Sequence, residues 1–165
     1  MQYRHEVKHE ISNLDMLILR QRLRAVMAPD SHAIDGQYEI RSLYFDNPDD
    51  KALREKLDGV SRREKYRIRM YNNDPSVIRL ERKFKCSGLG YKESALLTQA
   101  QACQIAGGDI HWMAASTDEV ILRFYTCLRN EGLAAKVIVD YTREPFVFVP
   151  GNVRVTLDYN IRTAL

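Results

Sequence analysis

The chain has 165 residues, of which 28% are charged, and its formal net charge is +3 at neutral pH. This length and an ordinary composition indicate one globular domain over residues 1–165, and the small net charge excludes a generic nucleic-acid coat, which is usually far more basic. The three cysteines have no metal-ligand spacing, which predicts free thiols in a reducing compartment. The charged N-terminus is unlike a signal peptide and no apolar run approaches the about 18 residues of a membrane span, so a cytoplasmic location is expected.

The first predicted elements are a strand and a helix. Residues 2–11 alternate between charged and less polar positions, which predicts a strand because strand side chains alternate between two faces. The following "SNLD" resembles a capping box, with Ser12 as the N-cap and Asp15 three positions on, and therefore predicts the start of a helix.

A second strand and helix follow. "YEIRSLYF", residues 38–45, is rich in aromatic and β-branched residues, which favours a strand. "DNPDDKALREKLDG", residues 46–59, predicts a short helix in which Asn47 is the cap, Pro48 is the first helical residue and Gly59 is the stop.

The stretch "KYRIRMYNNDPSVIRLERKFK", residues 65–85, predicts a hairpin with "NNDPS" as its turn. Its even positions are mostly apolar, and Arg82 is the exception. Its odd positions share one face and are largely basic; they are Lys65, Arg67, Arg69, Tyr71, Val77, Arg79, Glu81, Lys83 and Lys85. The hairpin therefore concentrates positive charge on one surface.

The remaining chain predicts three strands and two helices. Lys92 lies near a probable strand in "GLGYKESALL". Helix starts are indicated at Thr98 with Gln101 and at Ser116 with Glu119. "AAKVIVDYTREPFVF" and "NVRVTLDYNI" predict two late strands. Together these elements predict an α+β fold, in which helices pack outside an antiparallel sheet that is open or closed into a barrel.

The alternating charges have two interpretations. Half-buried strands often carry a solvated polar face, which needs no ligand. Like charges on neighbouring strands, however, destabilise a sheet, and arginine and lysine side chains suit phosphate, so the second interpretation is a polyphosphate site. Glu6 and Glu81, which lie among these cations, either bind a divalent metal that bridges to phosphate oxygens or act as salt-bridge partners. No phosphate-binding glycine loop or nucleophile elbow is present in the sequence.

Seven stretches carry a family resemblance. In chain order they are "YRHEVKHEIS", "RSLYFDNPDDKALREKLDG", "REKYRIRMYN", "VIRLERKFK", "GYKES", "VDYTREPFV" and "VRVTLDYNIRT". Together they resemble the VTC (vacuolar transporter chaperone) domain of polyphosphate polymerases, in the triphosphate tunnel metalloenzyme superfamily. The resemblance implies a β-barrel tunnel lined by basic residues. It also implies binding of ATP or another triphosphate by its phosphates and, with Mn²⁺ or Mg²⁺, synthesis of inorganic polyphosphate by transfer of the γ-phosphoryl group.

Carried over to this sequence, the resemblance implies a set of site residues. The phosphate-binding positions are Lys8, Arg67, Arg69, Lys83, Lys92, Arg143 and Arg154, and the charge pattern adds Arg4 and Arg79. The catalytic positions among them are Lys8, Arg67, Arg69 and Lys83, and the metal positions are Glu6 and Glu81. Of these residues, Lys8, Arg67, Arg69, Lys83 and Arg154 are expected to point into one common cavity.

Three further expectations follow. Family members continue past the "NIRT" segment into another helix and strands with a late E-x-K glutamate, so the chain is expected to be a fragment or a shortened protein whose open edge strands favour self-association. A triphosphatase usually has glutamates at both E-x-E-x-K positions, and Arg4 in the first one argues against that activity. A module that binds polyphosphate or nucleotides without turnover stays open, whereas a nucleic-acid partner is disfavoured because aromatic residues do not alternate with the basic ones.

Overall fold

The computed structural model describes residues 5–164, which form an α+β fold. The helices are α1 (Asn13–Val26), α2 (Lys51–Leu57), α3 (Gln99–Ala106) and α4 (Glu119–Asn130), with short 3₁₀ helices at His111–Ala115 and Val149–Gly151. The strands are β1 (Ala28–Pro29), β2 (Tyr38–Asp46), β3 (Arg63–Tyr71), β4 (Asp74–Cys86), β5 (Leu89–Leu97), β6 (Ala134–Phe148) and β7 (Val153–Ala164).

All strand pairs are antiparallel, and the sheet is a strongly curled half-barrel. The strands β2, β3, β4 and β5 are neighbours in that order, while the long strand β6 pairs with β7 on one side and with β1 and β2 on the other. The predicted α+β class and antiparallel sheet are confirmed. Within residues 5–164, β5 and β7 each have a strand neighbour on one side, so each presents an edge with unpaired backbone groups.

The hydrophobic core lies between one face of β2–β5 and the helices α3 and α4. Phe124 of α4 is fully buried and stacks on Tyr66 of β3, with ring centroids 4.8 Å apart. Leu80 of β4 and Ala95 of β5 join the same cluster. Because successive strand residues point to opposite faces, the charged positions between these apolar ones are directed to the other face of the sheet.

The predicted N-caps of α1 and α3 are confirmed, whereas the predicted N-cap of α4 is wrong. Both predicted capping boxes form at α1 and α3. At α4 the N-cap is Asp118 rather than Ser116, because the Asp118 carboxylate accepts hydrogen bonds from the backbone N–H groups of Val120 and Ile121. The Ser116 hydroxyl instead accepts a hydrogen bond from the Asp118 N–H.

The helix α2 begins later than predicted. The Asn47 side chain does accept a hydrogen bond from the backbone N–H of Lys51, at 2.9 Å, but the first helical residue is Lys51 and not Pro48. The Asp46 carboxylate accepts hydrogen bonds from the backbone N–H groups of Ala52 and Leu53. The side chains of Asp46 and Asn47 therefore satisfy backbone donors of the first turn that have no partner within the helix.

The predicted strand over residues 2–11 is wrong for the part that the structure describes. Residues 5–11 are exposed and lie in no strand, because no other strand among residues 5–164 pairs with them and an extended segment needs a hydrogen-bonded neighbour to become a strand. Residues 2–4, including the predicted site residue Arg4, lie outside the described residues.

The Glu144 carboxylate on β6 links α1 to the sheet. No residue of α1 is buried, but Arg20 holds Glu144 of β6 through Nε at 2.8 Å and Nη2 at 2.7 Å, and the Tyr159 hydroxyl donates to the same carboxylate at 2.9 Å. Burial raises the pKa of Glu144, but the hydrogen bonds from Arg20 and Tyr159 outweigh burial and lower it overall. An ionised Glu144 therefore anchors α1.

Replacing Glu144 with glutamine should lower the free energy of unfolding by about 1.5–3 kcal/mol near neutral pH, the usual worth of hydrogen bonds to a charged group. Because folding lowers the pKa of Glu144, its stabilisation is present above the unfolded-state value of about 4.3 and is lost as the pH falls through the folded-state value. Urea unfolding of both proteins across this range measures the difference, with the exposed Glu10→Gln as control. A difference that persists in acid would contradict this role.

Candidate phosphate-binding site

The charged positions of the neighbouring strands β3, β4 and β5 are brought side by side on the sheet face opposite the core. In the β3–β4 hairpin, Lys65 is opposite Lys83, Arg67 is opposite Glu81 and Arg69 is opposite Arg79. Strand β5 then places Lys92 opposite Lys83. We call this surface the basic face; its cations include Lys65, Arg67, Arg69, Arg79, Lys83, Lys85, Lys92 and, on β6, Arg143.

Glu81 lies at the centre of an ion-pair network. It is 0% exposed, and one carboxylate oxygen accepts hydrogen bonds from Nε and Nη2 of Arg67 at 2.7 and 2.6 Å. The other oxygen accepts from Lys92 Nζ at 2.6 Å. Burial raises the pKa of Glu81, but the charges of Arg67 and Lys92 outweigh burial and bring it to about 2. Glu81 is therefore a permanent anion that neutralises part of two cations.

Arg69 is held by neutral groups. It is 4% exposed, and it donates from Nε to the Ser42 hydroxyl at 3.0 Å and from Nη2 to the Tyr141 hydroxyl at 2.8 Å. The hydroxyl groups fix the guanidinium without cancelling its charge. Because rotamer freedom is already lost in the free protein, an anion that binds Arg69 does not have to order it.

Arg143 continues the basic face onto β6 and β7. Its guanidinium lies 5.2 Å from the Tyr141 ring centroid and binds Asp158 with two parallel hydrogen bonds of 2.7 and 2.6 Å. Burial lowers the pKa of Arg143, but the hydrogen bonds and charge of Asp158 outweigh burial and raise it. Arg143 is thus a fixed cation whose charge is largely shared with Asp158.

The two outlying predicted residues are arranged differently. Lys8 is exposed, and its Nζ lies 3.9 Å from Glu6, which accepts a closer hydrogen bond from Lys83. Burial raises the pKa of Glu6, but the hydrogen bond and charge of Lys83 outweigh it and lower the pKa. Arg154 donates to the Tyr38 hydroxyl and pairs with Asp30 at 2.8 Å. The structure thus connects Lys8 to the basic face through Glu6 and pairs Arg154 with a carboxylate near β1.

Positive charge on the basic face is only partly compensated. Among the residues that the structure describes, Lys65, Arg69 and Arg79 have no carboxylate partner within 4 Å. Arg69 and Arg79 are moreover directly opposite each other on neighbouring strands, an arrangement that costs free energy unless an anion lies between them. The face is therefore suited to a ligand with several negative charges.

Sequence reasoning missed the hydroxyl groups that position the cations. Ser42 and Tyr141 hold Arg69, and Tyr44 accepts a hydrogen bond from Arg67 at 3.0 Å. Burial raises the pKa of Tyr44, but the charges of Arg67 and Lys65 outweigh burial and lower it. The available signal was positional: Ser42 and Tyr44 alternate within one predicted strand, and Tyr141 stands two residues before Arg143.

Arg82, the charged exception on the apolar face of the hairpin, is a structural residue. It is 4% exposed and pairs with Glu64 and, at 2.8 Å, with Glu93. The two carboxylates satisfy a guanidinium that would otherwise be buried without compensation, which explains why the core tolerates it.

Glu64, Cys127 and Glu131 lie close enough together to hold a metal ion, but their chemistry does not suit one. Glu64 is bound to Arg82, and Glu131 accepts from Lys51 at 2.6 Å. Burial raises the pKa of the Cys127 thiol to about 11, whereas metal binding uses the thiolate. The cluster is therefore accounted for by ion pairs.

The fold and the basic face define the class of protein: an α+β domain whose curled antiparallel sheet presents clustered arginine and lysine side chains on one face. The family model of the VTC domain matches residues 3–165, and because the match spans nearly the whole chain, the chain belongs to the VTC domain family. No curated protein matches the chain. Within residues 5–164, none of the helices is long and apolar enough to cross a membrane.

Proposed function

We propose that the basic face binds the phosphate groups of ATP and of inorganic polyphosphate, and that the domain transfers the γ-phosphoryl group of ATP to the end of a polyphosphate chain. The observation that supports this most directly is the uncompensated charge of Lys65, Arg69 and Arg79 beside the cations around Glu81. Membership of the VTC family is consistent with a polyphosphate polymerase-like activity.

Phosphoryl transfer requires in-line positioning and neutralisation of charge, and little covalent work by the protein. In the proposed reaction, a terminal phosphate oxygen of the polyphosphate chain forms the new bond to the γ-phosphorus while the bond to the β-phosphate oxygen breaks, and ADP leaves. No side-chain nucleophile is needed. The fixed guanidinium of Arg69 and the charges of Lys65 and Arg79 would stabilise the equatorial phosphate oxygens.

VTC domains are in general metal-dependent, so the fit of the predicted metal ligands matters. Both oxygens of Glu81 already accept hydrogen bonds from Arg67 and Lys92, and Glu6 is paired with Lys83. These two carboxylates do not fit a metal as they stand, and we assign no step to an ion held by them. The basic face is compatible with a metal-dependent reaction if Mn²⁺ or Mg²⁺ is bound chiefly by the phosphate oxygens of the substrate.

The second candidate is a module that binds polyphosphate or nucleotides without turnover. This candidate is favoured by the ion pairs of Glu6 with Lys83 and of Glu81 with Lys92, since neither carboxylate is free to hold a metal ion. A triphosphatase is less well supported, because it must activate water and a carboxylate whose pKa is about 2 is a weak base.

The proposed function is tested by two measurements on the unchanged protein. Calorimetry should detect tripolyphosphate binding with a dissociation constant in the micromolar range or tighter, since several charge-assisted hydrogen bonds of about 1.5–3 kcal/mol each are available. Incubation with ATP and Mn²⁺, followed by assays for polyphosphate and free phosphate, separates a polymerase from a triphosphatase and from a binding module. Affinity no tighter than that for sulfate would contradict the proposal.

Removal of metal should leave ligand binding largely intact. Because the protein's own cations provide most of the attraction, a chelator such as EDTA should change the affinity for tripolyphosphate by less than about threefold, whereas raising the salt concentration tenfold should weaken it by more than about tenfold through screening. Titrations with and without chelator at two salt concentrations measure both effects. A large loss with chelator alone would instead indicate that a protein-bound metal holds the phosphate.

A further inference from the structure

Lys65 is a cation of the basic face that neither the family resemblance nor the ion pairs explain. It lies on β3, opposite Lys83 and two residues before Arg67. Its Nζ is 5.3 Å from the centroid of the Tyr44 ring. It is partly buried, and no carboxylate in residues 5–164 pairs with it. An aromatic ring that supports an ammonium group fixes its position but leaves its hydrogen-bond donors free.

The charges around Lys65 are mostly of its own sign. On the basic face it is opposed by Arg67 of β3, Lys83 of β4 and Lys8 of the N-terminal segment, with Glu6 beside the lysines. On its other side it borders a cavity. The other charged groups that line this cavity are Asp46 of β2, Lys51 and Glu55 of α2, Arg62 before β3, Arg63 and Glu64 of β3, Arg82 of β4, and Arg123 of α4 with Glu131 just after it. Of these five carboxylates, Glu6, Glu64 and Glu131 are paired with other cations and Asp46 caps α2. The fifth, Glu55, acts on the charge of Lys51 and makes no ion pair with Lys65.

We propose that Lys65 directly binds a phosphate group of the polyanion on the basic face, with Tyr44 as the residue that positions its ammonium group. The assignment rests on the proposed function and names a ligand of that same site. A bound anion would offset the repulsion that Lys65 experiences from the neighbouring cations in the free protein, an effect that no carboxylate ion pair provides.

The environment of Lys65 also links ligand binding to pH. Burial lowers the pKa of Lys65, and the charges of Arg67, Lys83 and Lys8 lower it further, with Tyr44 opposing them. The ammonium therefore loses its proton at a lower pH than an exposed lysine, whose pKa is about 10.4. Phosphate affinity should fall in the alkaline range as Lys65 becomes neutral, whereas an arginine in the same place stays charged.

The test uses tripolyphosphate as the probe and calorimetry without metal on the unchanged protein, Lys65→Met, Lys65→Arg and Lys56→Met. Lys56 is on the exposed side of α2, so its replacement removes the same charge away from the site. Lys65→Met should bind about tenfold more weakly, the loss of one charge-assisted contact, and Lys56→Met should bind within about twofold of the unchanged protein because exposed distant charges are screened. Lys65→Arg should bind nearly normally at neutral pH and lose less affinity at alkaline pH.

Equal affinities for Lys65→Met and Lys56→Met would overturn the assignment while leaving the proposed function in place. If Lys65→Met does not fold, the comparison of the unchanged protein with Lys65→Arg decides, because parallel pH profiles for these two would also overturn it. Absence of binding by the unchanged protein would remove the proposed function, and the role of Lys65 with it.

Discussion

Replacing Arg69 with glutamine is expected to weaken tripolyphosphate binding about 100-fold, which corresponds to about 2.8 kcal/mol. Arg69 is the most buried cation of the basic face, and its partners Ser42 and Tyr141 leave its charge uncompensated. Glutamine keeps a donor for one of these hydroxyl groups, so the fold should survive. The result is measured by calorimetry at low salt after circular dichroism has confirmed the folded state.

Two further variants show whether the charge or its arrangement matters. Arg69→Lys keeps the charge but loses the planar fork, and should recover only part of the affinity, because bidentate phosphate binding needs the guanidinium. Arg129→Gln removes an exposed arginine at the end of α4 and should bind as the unchanged protein does. Similar affinities for Arg69→Gln and Arg129→Gln would show that Arg69 has a structural role alone.

The sequence predicted the hairpin of the basic face because local rules were sufficient. The period of two separated its charged positions from its apolar ones. The predicted turn "NNDPS" was too long, because β4 already begins at Asp74. The two asparagines alone form the loop, with the positive φ that a two-residue hairpin loop requires, 52° at both Asn72 and Asn73. Strand β6, Ala134–Phe148, has the bounds of the predicted "AAKVIVDYTREPFVF".

The ion-pair partners of the charged residues could not be predicted from the sequence, because they depend on the register between strands. In the sequence Glu81 stands two residues from Arg79 and from Lys83, but in the sheet it is opposite Arg67 and bonded to Lys92 of the next strand. Arg82 likewise gains Glu93 as a partner only when β4 and β5 pair. The N-terminal strand was mispredicted for the same reason, since alternation alone does not supply the neighbouring strand that hydrogen bonds need.

Glu81 allows the last test, because its two interpretations predict opposite results. If it is the internal counter-ion of Arg67 and Lys92, Glu81→Gln leaves the largely buried Arg67 and the half-exposed Lys92 without their anion. The free energy of unfolding should then fall by about 3–5 kcal/mol, chiefly because of Arg67. Folding lowers the pKa of Glu81 to about 2, so its stabilisation is present above the unfolded-state value of about 4.3 and is lost as the pH falls through about 2. The difference between the two proteins should therefore shrink in strong acid.

Ligand binding should change in the other direction. With Glu81 neutralised, Arg67 and Lys92 no longer have an internal anion that competes with the ligand, so tripolyphosphate should bind about tenfold more tightly, and the stabilisation it gives should grow by about 1.4 kcal/mol at saturating ligand. Urea unfolding with and without tripolyphosphate measures both quantities, and Glu10→Gln is the control for removal of an exposed carboxylate. If Glu81→Gln is unfolded without ligand but folds when tripolyphosphate is added, this result would likewise support Glu81 as an internal counter-ion. If Glu81 is instead a metal ligand, the variant should keep its stability in the metal-free protein, and its binding of the ligand should lose any enhancement by Mn²⁺.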